Sequence, residues 1–285
     1  MLKKAITYVL MLALSFLLIS CKESSTTSPT TSSTSTTIPT TTTTSSTTTV
    51  TVKPVTIRET GEGFDKIQDA IEKAEPGQHI DVSAGTYVEN LVVNKKLNLI
   101  GENRATTVIH AGGLLTGITF EPGAEGSDIR GFSIRCETFT SSQDGIYCAA
   151  DSVIIGRNII EKGRRGINWY AFSGGKICGV LIKNSEIGVL VPKGEPFISE
   201  ADISGAVIGI DCIDTSPIIA GCTLKRNHVG ILCDVSAQPD VGGGVSGSPG
   251  RNIIKENAFW NFYNYTPNVI KAKNNYWDHT TAGEI

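Results

Sequence analysis

The stretch EKGRRGINWYAFSGGK, residues Glu161 to Lys176, sets two arginines, Arg164 and Arg165, shortly before three aromatic side chains, Trp169, Tyr170 and Phe172. Guanidinium forks grip carboxylates in bidentate fashion, and aromatic faces stack on apolar ring faces such as those of sugars. Together they suit the capture of an acidic glycan. The same residues have a plainer reading, in which Trp169 fills an interior position and the arginines are surface charges. A second chemistry is suggested by Asp202 and Asp211, nine residues apart. Hydrolysis of a glycosidic bond or sugar ester wants two carboxylates, one as acid and the other as base or nucleophile. A turn is expected between the strands that carry these two, so they are weak catalytic candidates and read first as solvated carboxylates. Calcium-assisted elimination would need clustered Asp ligands and an Arg or Lys base, so calcium enters only if the chain is a lyase.

Metal chemistry is not expected. The histidines, His79, His110, His228 and His279, are scattered, and both methionines, Met1 and Met11, precede the folded part. The six cysteines after Cys21 form no C-x-x-C pair, which argues against zinc. The glycine-rich DVGGGVSGSPG, residues 240–250, lacks the lysine and the strand–helix flanks of a phosphate loop and reads as a connector.

What would position these side chains is a repeat. Aligned on Ile134, Ile155, Ile177, Ile198 and Ile219, five segments follow one another at spacings of 21, 22, 21 and 21 residues. Five positions on stand Phe139, Ile160, Ile182, Ile203 and Leu224, and at eight Ser142, Gly163, Ser185, Ala206 and Asn227. At eleven every segment has glycine, Gly145, Gly166, Gly188, Gly209 and Gly230, read here as a corner where the backbone bends tightly. Position twelve is Ile or Val, and fourteen is Cys148, Trp169, Val191, Cys212 and Cys233. Short β-branched runs at a fixed period mean a solenoid of strands. The L-x-x-L-x-L frame and helix of a leucine-rich repeat are missing. The one extra residue falls in Glu161–Lys176 and predicts a bulging loop there. Cys212 and Cys233 share a column one coil apart, close enough for a disulfide, although buried thiols are the favoured reading.

These features, with the opening GEGFDKIQDAIEKAEPGQHIDVSAGTYVENLVVNKKLNLIGEN and the closing RNIIKENAFWNFYNYTPNVIKAKNNYW, resemble the right-handed parallel β-helix proteins of the pectin-lyase-like superfamily. Within it the likeness is to bacterial members of unknown function, DUF1565 and the periplasmic copper-accessory type. The resemblance implies an all-β, single-stranded right-handed parallel β-helix with coils of about 21 residues, nine or ten in number. It also implies a short N-terminal capping helix. Phe64, Ile67, Ala70, Ile71 and Ala74 share one helical face, and Pro76-Gly77 stops it. The terminal aromatics, Phe259, Trp260, Phe262, Tyr263, Tyr265, Tyr276 and Trp277, read mainly as a lid on the last coil.

The N-terminus gives an address. Lys3 and Lys4 precede a mostly apolar Ala5–Ile19, and Leu18-Ile19-Ser20-Cys21 resembles the lipobox of bacterial lipoproteins. That resemblance implies cleavage before Cys21 and lipid attachment to its thiol. From Ser24 to Thr51, 24 of 28 residues are Ser or Thr, too polar to offset the entropy of ordering. The expected organisation is a signal peptide over 1–20, a lipidated cysteine and disordered tether over 21–51, and a β-helix domain over 52–285. Without Lys3, Lys4, Lys22 and Glu23 the domain carries 22 basic and 27 acidic side chains, a net charge of −5. This argues against nucleic acid as a partner.

The expected protein is therefore a monomeric, lipid-anchored component of the bacterial cell envelope, without a cofactor. Its β-helix would bind polysaccharide or another surface glycan, or mediate adhesion, non-catalytically. A polysaccharide lyase, epimerase or carbohydrate esterase is the alternative, and a structural surface protein the second.

Overall fold

Period-two burial in strands of three to six residues decides the architecture. The computed structural model describes residues 53–113, 115–137 and 143–278. The signal peptide, Cys21, the Ser/Thr tether, Phe139, Ser142 and His279 lie outside the described residues. Within them the chain winds through three sheets of eleven, nine and eight strands, parallel but for the first two strands of the largest. One coil runs through Ile154–Gly156 on the first face, Ile159–Glu161 on the second and Arg165–Trp169 on the third. The next coil repeats the path with Lys176–Cys178, Leu181–Lys183 and Ile187–Val191. The result is a right-handed β-helix of nine coils, the length of the second sheet.

Three interior columns hold the stack together. On the first face Ile129, Ile155, Ile177, Ile198 and Ile219 lie in register, all buried. On the second stand Ile109, Ile134, Ile160, Ile182, Ile203 and Leu224. On the third stand Ile118, Ile146, Ile167, Val189, Ile210 and Ile231. Each such side chain contributes about 1.5–3 kcal/mol by leaving water. Ile134 thus belongs one column further along than the sequence alignment places it. The step from Ile129 to Ile155 is 26 residues, and the surplus lies ahead of Asp144–Cys148.

The glycine column is not the corner. Gly145, Gly166, Gly188 and Gly209 have ordinary negative φ, because only Gly163, Gly179, Gly205 and others of the positive-φ set turn left-handed. Each is the second residue of a third-face strand, at a point of close approach between coils. A Cβ on Gly166 would lie 2.6 Å from the carbonyl oxygen of Gly188 and 2.6 Å from Ile182 Cγ2. The bends fall elsewhere. Arg157, Gly179, Glu200 and Gly221 are left-handed after the first face, and Lys162, Asn184, Gly205 and Arg226 after the second.

The N-terminal end is closed as the apolar pattern predicts. Helix α1, Ile67–Lys73, buries Ile67, Ala70 and Ile71 against the first coil, with Ala74 beside them. Phe64 ends the strand Glu62–Phe64 rather than joining the helix. Lys66 provides no side-chain cap; the Glu89 carboxylate instead accepts the backbone N–H groups of Ile67 and Gln68, both at 3.0 Å. Val55–Ile57 pairs antiparallel with both Glu62–Phe64 and His79–Val82, which covers the exposed edge of the first sheet.

Candidate functional site

Alternation along the third face sends Ile167 and Trp169 inward and Asn168 outward. Trp169 is 0 % exposed and continues the interior column of Cys148, to which it is register-paired. It is a core residue. Its size explains the loop that follows. The indole is larger than the Phe120, Cys148, Cys212 and Cys233 side chains of its column, and a Cβ on Gly175 would lie 2.3 Å from its outer ring edge. The corner 170–175 therefore needs its extra residue and its glycines, and it pushes Phe172 out to 76 % exposure.

Both arginines are held by carboxylates. Arg164 Nε donates to Glu186 at 3.3 Å on the flank of the face. Arg165 is ion-paired with Asp144, whose side chain is almost wholly covered. Arg165 begins the strand that Trp169 ends, and its charge acts on the Tyr147 hydroxyl. Asn168 shares its partner, the Asn168 Nδ2 donating to Asp144 Oδ2 at 3.0 Å. Burial pushes the Asp144 carboxyl up, opposed by Asn168 and Arg165.

At the far edge the rings assemble with a cation that sequence reasoning missed. Tyr147 and Tyr170 stack with centroids 6.0 Å apart. Lys193 Nζ sits 4.1 Å from the Tyr170 centroid and 4.6 Å from that of Phe172. Lys193 belongs to the corner one coil on, so stacking PKGEP over YAFSGG by the repeat period would have found it. A groove of about 420 Å³ opens beside Phe172, between the corners carrying Ser173, Gly174, Gly194, Glu195, Asp214 and Thr215. Rings, an ammonium group and flanking acceptors can hold a sugar that carries a carboxylate.

Asp202 and Asp211 do not meet. Asp202 lies on the second face, 3.9 Å from Lys225 Nζ, and Asp211 on the third. Asp211 is 6 % exposed, and its Oδ1 has no hydrogen-bond partner. Burial, then the charge of Asp234, pushes its carboxyl up to about 6. Cys212 and Cys233 pair in register but are free thiols, not a disulfide. Side chains on adjacent parallel strands project side by side, near the coil spacing of about 4.8 Å, wider than the Cβ separation a disulfide prefers. Among the described residues no three His, Cys, Asp or Glu side chains gather as metal ligands.

The family whose sequence pattern matches residues 92–282 is DUF1565, described as a protein of unknown function. The chain belongs to the DUF1565 family. No curated protein matches it. Among solved structures, this DUF1565 chain is similar to a pectin methylesterase mutant in complex with a hexasaccharide. Identity is 13 %, 80 % of this chain and 92 % of that one are covered, and the TM-score is 0.42. A second pectin methylesterase–hexasaccharide complex matches with the same identity and coverage and a TM-score of 0.41.

Proposed function

We propose that this DUF1565 protein is a lipid-anchored β-helix of the bacterial cell envelope that binds an acidic polysaccharide without cleaving it. The observation that carries the binding reading is the platform of Tyr147, Tyr170, Phe172 and Lys193 at the edge of the third face. It pairs exposed rings with a cation beside an open groove. Cys21 and the Ser/Thr tether support the anchor, which would hold the platform off the membrane. The non-catalytic reading rests on spacing. The two buried carboxylates of the third face, Asp144 and Asp211, are three coils apart, about 14 Å along the axis, and in different columns, beyond the roughly 5–9.5 Å of paired glycosidase carboxylates.

Retention of the full chain on polygalacturonate, alginate and hyaluronan gels tests the reading. Tyr170→Ala/Phe172→Ala lowers retention while the melting temperature holds. Unchanged retention removes the platform. Trp169→Ala is the wrong probe, because it empties the core. One observation favours a second reading, polysaccharide processing: Asp211 holds its proton near pH 6, as a general acid would. Unsaturated or de-esterified sugars released in the same incubations, and lost in Asp211→Asn, replace the non-catalytic reading with that one.

A further inference from the structure

The last coil carries aromatic side chains on both sides of the backbone, and the two sets differ in kind. Phe262 points inward, and its ring meets Trp277 edge-on at 6.4 Å. Of the seven aromatics the sequence reads as a lid, this pair packs on the core, and Phe259, Trp260, Tyr263, Tyr265 and Tyr276 are exposed instead. Trp260, Tyr263 and Tyr265 point outward and are 43 %, 36 % and 68 % exposed. Trp260 and Tyr263 are offset-stacked at 5.4 Å and 17°, and Tyr265 follows at 6.0 Å.

Register fixes where this ridge stands. Tyr263 ends the outward column of Tyr147, Asn168, Leu190, Asp211 and Leu232. It is therefore on the same face as the Tyr147–Tyr170–Lys193 platform, five coil spacings or about 24 Å from Tyr147 and three or about 14 Å from the coil that carries Lys193. Three rings held in water forgo the stabilisation that burial would give them, and they leave a flat apolar step with two phenolic hydroxyls. The lysine near a ring at this end, Lys255, lies over Tyr276 at 6.0 Å instead. Among the described residues the ridge thus offers stacking and hydroxyl contacts with no ammonium group over its rings.

We infer that Trp260, Tyr263 and Tyr265 form a second sugar subsite, and that one polysaccharide chain runs along the coil axis and engages both ends of the third face. This rests on the glycan reading above and adds to it the ligand's form: a long chain, charged where it meets Lys193. The two subsites sit on one rigid stack of coils. Once the first is occupied, the second binds intramolecularly, which raises avidity by about 10²–10⁴ for chains long enough to span the gap. Chains too short to span it gain nothing.

The test measures the affinity of the full chain for disaccharides and for chains of about twenty sugars from polygalacturonate, alginate and hyaluronan. Wild type favours the long chain by a hundredfold or more. Tyr263→Ala/Tyr265→Ala reduces long-chain affinity at least tenfold and erases most of the length preference, at an unchanged melting temperature. Trp260→Gln gives the same readout should the double variant melt early. If both variants bind long chains as wild type does while Tyr170→Ala/Phe172→Ala fails to, the second subsite is overturned and the first platform stands. If wild type binds none of the three polysaccharides, both readings fall.

Discussion

The two sides of the third face carry opposite kinds of information. Inward, one column reads Ile118, Ile146, Ile167, Val189, Ile210 and Ile231, nearly the same residue in coil after coil. Outward, one position away, the column reads Thr119, Tyr147, Asn168, Leu190, Asp211, Leu232 and Tyr263. The inner side answers to one requirement, filling a tube of constant width at crystal-like density. The outer side is free of that requirement, so what varies there reflects what the surface meets. In a solenoid the repeat therefore reports the fold, and departures from it mark the places where a ligand can be read.

The inner side breaks with the largest effect. Ile182 sits midway along its column, buried between Ile160 and Ile203. Ile182→Ala removes a transfer contribution and leaves a cavity that stacked coils above and below cannot close. Urea unfolding is expected to report a loss of about 2–5 kcal/mol. Because each coil touches only its neighbours, the unfolding transition also broadens as the middle of the stack uncouples. Gly166→Ala comes next. Its new methyl meets backbone on one side and Ile182 on the other, and the Gly188 carbonyl is fixed in a parallel ladder. A cost of roughly 1–3 kcal/mol is expected by the same measurement. A Gly166→Ala variant as stable as wild type would show that adjacent coils slide apart easily, and the column would then need another explanation.

Much of this inner side was legible in the sequence, because the glycine and isoleucine periods are set by the coil itself. Ile134 was misaligned by the longer coil between Ile129 and Ile155, which a pattern of five matched glycines conceals. The glycines were assigned to bends because sequence shows that a Cβ is excluded and not what excludes it; here it is the next coil's carbonyl rather than a left-handed φ. On the outer side Tyr170 and Phe172 were found from composition. Lys193 was missed because it joins the rings from the following corner. Trp169 was legible only through its column, where alternation turns it inward. Trp260, Tyr263 and Tyr265 read from the sequence as part of the lid and not as an outward ridge, because the long connection after the strand Asp240–Gly242 breaks the 21-residue spacing before the last coil. Outward residues carry no period of their own, so their neighbours become visible only when the coils are stacked.

The smallest expected effect sharpens the comparison, because it concerns a residue caught between the two sides. Asp211 faces outward in the column, yet its neighbours cover it and leave Oδ1 without a partner. Its carboxyl is held at about 6 against an ordinary 3.8, chiefly by burial. The sign follows from linkage. The folded state binds this proton more tightly than the unfolded chain does, so the group's contribution is complete below pH 3.8. It is lost as pH rises through about 6. Asp211→Asn removes the titration and keeps the shape. At pH 8 the variant should be the more stable by about 1–2 kcal/mol, the shift discounted for the part of the group that water still screens. At pH 4 the two should unfold within a few tenths of a kcal/mol of each other, and the crossover should fall between those values. Equal stabilities at pH 8 would mean that Asp211 is solvated like any outer residue. The middle of the third face, between the two sugar subsites, would then be a wetted strip.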